Sequence, residues 1–241
     1  MTEIPVLALI PAWNEAARVG PVVEATRAHL PVLVVDDGSH DETSAVAEAA
    51  GATVVRHPQN QGKGAALMTG FTWALEHGYE AVITLDADGQ HDPDEISKFL
   101  AAYEAGAGDL IIGRRDFDQM PFPRNYTNRI FGSRLLSWAL GVHIHDSQSG
   151  YRLYGRRLLE KLNLATTGFE LEVEVIIQAV CWRPQQSRGM RIGWVEIRTI
   201  YGVGEVSYFH PLKDSARFLA MVWRAWRRRR LTLDVSRAQQ V

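Results

Sequence analysis

Asp86 and Asp88 stand two residues apart, directly after the apolar run Ala81-Val82-Ile83-Thr84-Leu85, and Gly89-Gln90-His91 follow them. On an extended chain, side chains two apart point the same way. At the carboxyl end of a parallel strand they face the crevice where open α/β sheets bind ligands. Two carboxylates cannot enclose a divalent cation. They can hold one face of Mg2+ or Mn2+ while phosphate oxygens and water complete the shell. That is the chemistry of a nucleoside-diphosphate substrate. The same residues also suit a plain surface turn, since Asp and Gly are frequent turn formers.

Other polar clusters follow apolar runs in the same way. Pro11-Ala12-Trp13-Asn14-Glu15 succeeds Val6-Leu7-Ala8-Leu9-Ile10, and Asp36-Asp37-Gly38-Ser39 succeeds Val32-Leu33-Val34-Val35. The first turn can line a nucleoside pocket with Pro11 and Asn14, Glu15 accepting from ribose hydroxyls. Asn14 could equally cap the next helix, with Glu15 favourable in its first turn. In the second turn a carboxylate can accept from base N–H groups or ribose hydroxyls. The loop Gln59-Asn60-Gln61-Gly62-Lys63-Gly64 lacks the Walker spacing, so Lys63 is either near a nucleotide or a solvated loop lysine. His143 and His145 have metal-ligand spacing but no evident third ligand, which favours a polar loop.

The elements that must position these residues alternate strictly. Strands are expected at 6–10, 32–35, 53–55, 81–85 and 110–113. Helices are expected at 16–30, up to Ala50, at 65–76 and after the Asp92-Pro93-Asp94-Glu95 start signal. Alternation over the first ~115 residues implies an α/β fold with a mainly parallel sheet and helices on both faces. Beyond Gly113 the pattern changes. Helices are expected over 125–140 and 169–180, a polar break at 146–150, and an alternating strand over 194–200. No repeat or low-complexity linker divides the chain. It reads as a catalytic domain over 1–212 with an appended basic amphipathic helix and tail over 213–241.

Composition narrows the setting. Of 241 residues, 46% are hydrophobic and 22% charged, as in ordinary globular proteins, and a formal net charge of -2 gives no nucleic-acid footprint. Cys181 is the only cysteine, so no intramolecular disulfide is expected. Met1 to Pro5 lack the basic start of a leader, and no apolar run reaches the ~18 residues of a membrane span. A cytoplasmic location is expected. Near the end, Phe218, Leu219, Val222, Trp223 and Trp226 form a stripe at helical spacing flanked by Arg217, Arg224, Arg227 and Arg228. Such a helix suits an anionic lipid interface, or packs on the core or on a second copy in a homodimer.

Pro11–Glu15, Asp36-Asp37-Gly38-Ser39-His40-Asp41, Asp86-Ala87-Asp88-Gly89-Gln90-His91 and Asp146-Ser147-Gln148-Ser149-Gly150-Tyr151-Arg152, in this order, resemble family-2 inverting glycosyltransferases over roughly residues 4 to 215. The last set, with Gln90, is similar to the branch of dolichol-phosphate mannosyltransferases and other polyprenyl-phosphate sugar transferases. The chain departs from many branch members in lacking C-terminal transmembrane helices, and 181–187 is unlike the branch pattern.

The resemblance implies a GT-A (Rossmann-like) fold, a nucleotide-sugar donor of GDP-mannose or UDP-glucose type and a Mg2+ or Mn2+ cofactor. Asp86, Asp88 and Gln90 would hold the metal, with Asp88 catalytic. Pro11, Asn14, Glu15, Asp37, Lys63 and Asp86 would bind the donor, Asp37 approaching the base. Arg115 after the fifth strand, and Arg129 and Ser133 one helical turn apart, match the branch's acceptor-phosphate residues. A polyprenyl-phosphate acceptor implies a peripheral position on the cytosolic membrane face. The alternative acceptor is a sugar or glycan hydroxyl, with Asp146 as general base. A non-catalytic nucleotide-sugar-binding protein is a third reading, which both carboxylates argue against.

Overall fold

A computed structural model describes residues 4–115, 133–164, 170–182, 189–198, 200, 219–223 and 226–227. The expected alternation is present, with shifted ends. β1 (Val6–Ala12), α1 (Val19–Arg27), β2 (Val32–Asp36), α2 (Thr43–Ala49), β3 (Thr53–Arg56), α3 (Lys63–Glu76) and β4 (Ala81–Thr84) follow one another. A 3-10 turn at Pro93–Glu95, capped by Asp92 through the Asp94 amide (3.1 Å) as the Asp-Pro signal implied, leads into α4 (Ile96–Glu104). Then come β5 (Leu110–Arg115), α5 (Leu135–Leu140), β6 (Arg152–Gly155), α6 (Arg156–Leu159), α7 (Leu171–Cys181) and β7 (Ile192–Ile197).

Among the described residues these strands form one sheet in the order β3-β2-β1-β4-β6-β5-β7. All pairs are parallel except those made by β6, which is antiparallel to β4 and β5. β6 is the strand the sequence pattern did not single out, as the short α6 after it is the helix. The strand's four residues are too few to display a period, and they are buried on both faces.

Burial explains the strands' unbroken apolar runs. Leu7, Leu9, Leu33 and Val35 pack on one face beneath α3, α5 and α7. Val6, Ala8, Ile10, Val32 and Val34 pack on the other beneath α1, α2 and α4. A strand covered on both faces loses the polar alternation of a half-exposed one.

The topology fixes the site. β2 and β3 lie on one side of β1, whereas β4 lies on the other. The switch point, where a crevice opens at the carboxyl ends, therefore falls between β1 and β4. Asn14 and Glu15 follow β1, and Asp86 and Asp88 follow β4. The carboxyl end of β5 at Arg115 and the amino end of antiparallel β6 at Arg152 reach the same edge.

Residues 219–223 and 226–227 are helical. Met221 and Val222 are buried in the core, and Trp226 packs against it. Leu219 and Trp223 are 52% and 56% exposed, and the Arg227 guanidinium lies 5.4 Å from the Trp223 ring centre. The expected single stripe is thus divided between two faces, one structural and one outward. Phe218, Arg217, Arg224 and Arg228 lie outside the described residues. Among those described, no helix is long and apolar enough to cross a membrane.

Candidate active site

The turns after β1 and β2 are stapled together. Asn14 adopts a left-handed φ of 55°, which Asn tolerates better than most residues. Its amide donates to Ser39 Oγ (2.9 Å) and its Oδ1 accepts from the His40 amide (2.8 Å). The Glu15 amide donates to Thr43 Oγ1 (2.8 Å). Asn14 therefore does not cap α1, whose start at Arg18 has no side-chain cap. Burial pushes the Glu15 carboxyl up, aided by the Asp88 and Asp41 carboxylates, and the Arg18 guanidinium at 2.7 Å only partly offsets this.

Asp36 and Asp37 have different duties. Asp36 is fully buried and accepts from the Ser39 amide (2.9 Å) and from the Ser44 hydroxyl. Asp37 Oδ1 accepts from His57 Nδ1 (2.7 Å) and the Gln61 amide (2.9 Å), and Oδ2 from the Gly62 amide (2.7 Å). A carboxylate can only accept, so His57 carries a hydrogen on Nδ1, and its Nε2 lies 2.9 Å from Thr69 Oγ1. Asp37 thus pins the 59–62 loop that delivers Lys63. The loop also needs Gly38: at its φ of 70° a Cβ would lie 2.4 Å from the Gln59 carbonyl carbon.

Lys63 is the first residue of α3, two residues earlier than the helix expected from the sequence. It is not a solvated loop lysine. Its Nζ lies 2.6 Å from Asp86 Oδ1 and 2.9 Å from Glu172 Oε1, with 20% of the side chain exposed. Burial alone would push the lysine down, but these two carboxylates outweigh it and push it up. Burial would likewise push Asp86 up, yet the ammonium holds its carboxyl at about 2.

The rest of the turn shapes this carboxylate. The Asp86 amide donates to His91 Nδ1 (3.0 Å), and the His91 ring stacks on Tyr151 at 4.8 Å. Asp88 Oδ1 accepts from the Gln90 amide (2.9 Å). Gly150 closes the other side: a Cβ there would sit 3.0 Å from Asp86 Oδ2 and 3.2 Å from both Lys63 Nζ and Glu172 Oε1. Thr84 donates to the Gly150 carbonyl (2.7 Å), tying β4 to this loop.

Asp86, Asp88 and Gln90 offer two carboxylates and an amide oxygen on one half-exposed turn. No group of three His, Cys, Asp or Glu suited to a cation occurs among the described residues. Hard oxygen donors on one side only fit a divalent cation that takes its remaining ligands from a diphosphate and water. His143 and His145 form a T-shaped ring pair at 4.3 Å in the loop after α5.

Arg115 and Asp146 meet as a bidentate pair. Nε lies 2.7 Å from Oδ2 and Nη2 3.0 Å from Oδ1. Oδ1 also accepts from the Gln148 and Ser149 amides (3.0 and 3.1 Å). Asp146 is 1% exposed. Burial would raise its carboxyl, but Arg115, the Gln148 amide and the Arg152 charge outweigh that and hold it below the usual range. Ser133 is buried near the start of α5. Arg129 lies outside the described residues.

Three neighbours have contacts that sequence reasoning did not assign. Glu172 sits on a near-continuous apolar helix, and only the fold brings it to Lys63. Arg152, fully buried, donates to the backbone carbonyls of Ser147 (2.9 Å), Ser149 (2.6 Å) and Glu172 (2.5 Å). It thereby binds the 146–150 loop to α7. His57 follows a short strand, with no local signal of its pairing to Asp37.

The sequence model of glycosyl transferase family 2 matches residues 8–163. The chain belongs to that family. It is 36% identical over 193 residues to the polyprenol monophosphomannose synthase of Mycolicibacterium smegmatis, covering 72% of this chain and 71% of that protein. It is 29% identical over 228 residues to the UDP-N-acetylglucosamine--dolichyl-phosphate N-acetylglucosaminyltransferase of Methanococcus voltae, covering 83% and 88%. Among solved structures it resembles glucosyl-3-phosphoglycerate synthase from Mycobacterium tuberculosis, in complex with Mn2+, UDP and phosphoglyceric acid. The TM-score is 0.69 at 20% identity, over 92% of this chain and 78% of that one. That likeness identifies the fold as GT-A. The protein is a glycosyltransferase.

Proposed function

We propose that this glycosyltransferase moves a hexose from a nucleotide-diphosphate sugar to a polyprenyl phosphate, with inversion at the anomeric carbon. The observation that carries the acceptor class is the state of Asp146. Its carboxylate already accepts four hydrogen bonds, is buried, and is held below its usual range by Arg115. A general base needs a value near the working pH and reach to the proton it takes. A buried carboxyl held low and already engaged by Arg115 is poorly suited to that role, which disfavours a hydroxyl acceptor. A phosphate acceptor arrives already anionic and needs no base. The names of the two curated relatives agree with this reading.

In this scheme the donor lies across the β1–β4 crevice. Pro11, Asn14 and Glu15 would line the nucleoside side, and Asp37, which holds the 59–62 loop, would approach the base. Lys63 and Asp86 flank the diphosphate. A divalent cation on Asp86, Asp88 and Gln90 would supply charge neutralisation for the leaving diphosphate. Arg115, Arg129 and Ser133 orient the acceptor phosphate, and Asp146 fixes the Arg115 fork. The acceptor oxygen attacks the anomeric carbon opposite the departing diphosphate, so one C–O bond forms as another breaks.

The outward face of the C-terminal helix, Leu219 and Trp223 with Arg227, suits contact with an anionic membrane surface. Residues 213–241 would then be a docking appendage to a catalytic domain over 1–212.

Incubation of the chain with radiolabelled GDP-mannose and UDP-glucose, Mn2+ and undecaprenyl phosphate tests the reading. Label in the organic phase, as a β-linked sugar from an α-linked donor, is expected. Transfer only to soluble glycans would replace the lipid acceptor with a hydroxyl one.

A further inference from the structure

Lys63, Asp86 and Glu172 form a triad with one cation between two carboxylates. Asp86 is a metal-ligand candidate, and Glu172 is not on the metal turn at all. It comes from α7, on the far side of Gly150. The ammonium therefore has two homes of opposite consequence: one on the carboxylate the divalent cation needs, the other on a carboxylate outside the turn.

We propose that Lys63 is the internal counter-cation of this site, neutralising Asp86 before the divalent cation binds and passing wholly to Glu172 when Asp86 becomes a ligand. Like charges on one carboxylate repel, so an ammonium 2.6 Å from Asp86 Oδ1 opposes a second cation there. Expelling a largely buried lysine into water would sacrifice its pairing. Glu172 removes that obstacle: its Oε1 already lies 2.9 Å from Nζ, and its side chain is only 8% exposed. Lys63 needs a small rotation about its stem, not a loop rearrangement. The geometry also limits where it goes. Gly150 leaves just enough room beside Asp86 Oδ2, Lys63 Nζ and Glu172 Oε1, and Arg152 anchors the Glu172 backbone through its carbonyl (2.5 Å). Glu172 is thus a positioning residue that acts through Lys63.

The inference rests on the metal reading of Asp86 and Asp88, and the test separates the two. Free Mn2+ is followed by electron paramagnetic resonance during titration of the full chain, alone and with UDP or GDP. Lys63→Met should tighten Mn2+ alone about tenfold, because its competitor is gone, and Glu172→Gln should weaken it about tenfold. In the Lys63→Met background, Glu172→Gln should cost under about threefold, since no ammonium remains to be rehoused. An equal or larger loss there would mean that Glu172 acts on the metal directly, and the proposal falls. No tightening in Lys63→Met overturns it as well. If the unaltered protein fails to bind Mn2+ under every condition, or Asp88→Asn binds it equally well, the metal reading itself fails and takes the proposal with it. Should a variant not fold, a crystal structure of the unaltered chain with Mn2+ and UDP decides. Lys63 Nζ should remain within about 3.2 Å of Glu172 and leave hydrogen-bond range of Asp86. Retention of the Asp86 contact beside a bound Mn2+ refutes it.

Discussion

Removing the Arg115 side chain should reveal how strongly Asp146 depends on it. In the folded chain the guanidinium makes two N–H contacts to a carboxylate that is 1% exposed, and is itself only 16% exposed on its side chain. Breaking one partner from a buried pair costs about 3–5 kcal/mol. Asp146 keeps the Gln148 and Ser149 amides, so Arg115→Ala belongs at the lower end, about 3 kcal/mol at pH 7. In a chain of this size that is a fall in Tm of about 6–12 °C. The pH dependence carries the sharper content. The carboxyl is held below its usual value when folded, so the pair's stabilisation is present above the unfolded value of about 3.9 and is lost as pH falls through the folded one. Without Arg115, burial pushes Asp146 upward and it takes a proton on mild acidification. The stability gap between the unaltered chain and the variant should therefore be widest near neutrality and narrow towards about pH 4. Thermal melts at a series of pH values measure it. Arg115→Ala/Asp146→Asn should melt higher than Arg115→Ala alone, since no buried charge is stranded. A Tm change under about 2 °C, or a gap that stays constant with pH, would refute the account of Asp146 as a paired, non-basic carboxylate.

Asp88→Asn should reduce turnover at least about a hundredfold with an unchanged melt, as should excess EDTA on the unaltered enzyme, because an amide neutralises a cation poorly. Arg129→Ala should raise the acceptor KM about tenfold or more and the donor KM little, the signature of a lost charge-assisted contact to phosphate. His57→Phe should cost about 1–3 kcal/mol and speed amide exchange at Gln61 and Gly62, because Asp37 loses the partner that orients it; unchanged exchange would show that the loop holds without His57. Leu219→Ala and Trp223→Ala should leave the melt within about 0.5 kcal/mol yet weaken salt-sensitive binding to anionic vesicles, whereas Val222→Ala should destabilise the fold by about 1–3 kcal/mol with vesicle binding intact.

The sequence spoke clearly wherever function and local structure coincide. Doubly buried strands write themselves as unbroken apolar runs, and the turns after them carry Asn14, Glu15, Asp37, Asp86 and Asp88 in plain view. The switch point between β1 and β4 then places these turns side by side. Legibility failed where a residue's role depends on a partner remote in the chain. Glu172 is two positions from Glu174 on an apolar helix, and both fit a helix start as well as they fit an ion pair. Nothing local distinguishes the one that meets Lys63, which lies more than a hundred residues earlier. Asp37 shows the complementary limit. Its turn was evident, but its hydrogen bonds to His57, Gln61 and Gly62 come from the segment that follows β3.

The C-terminal helix shows why a periodic stripe underdetermines its surroundings. Leu219, Val222, Trp223 and Trp226 satisfy one amphipathic pattern, yet the core needs only a narrow line of contact. Val222 and Trp226 supply it together with Met221, which the stripe omitted. Leu219 and Trp223, displaced around the helix axis, are left facing outward beside Arg227. One apolar stripe can thus serve two surfaces at once, anchoring the helix to the core while leaving an aromatic–cationic edge facing outward. In the proposed scheme, such an arrangement would let an acceptor phosphate reach Arg115 from a lipid surface. In that scheme the burial of Met221 and Val222 in the core, not the exposed tryptophan alone, would set the height of the active site above a membrane.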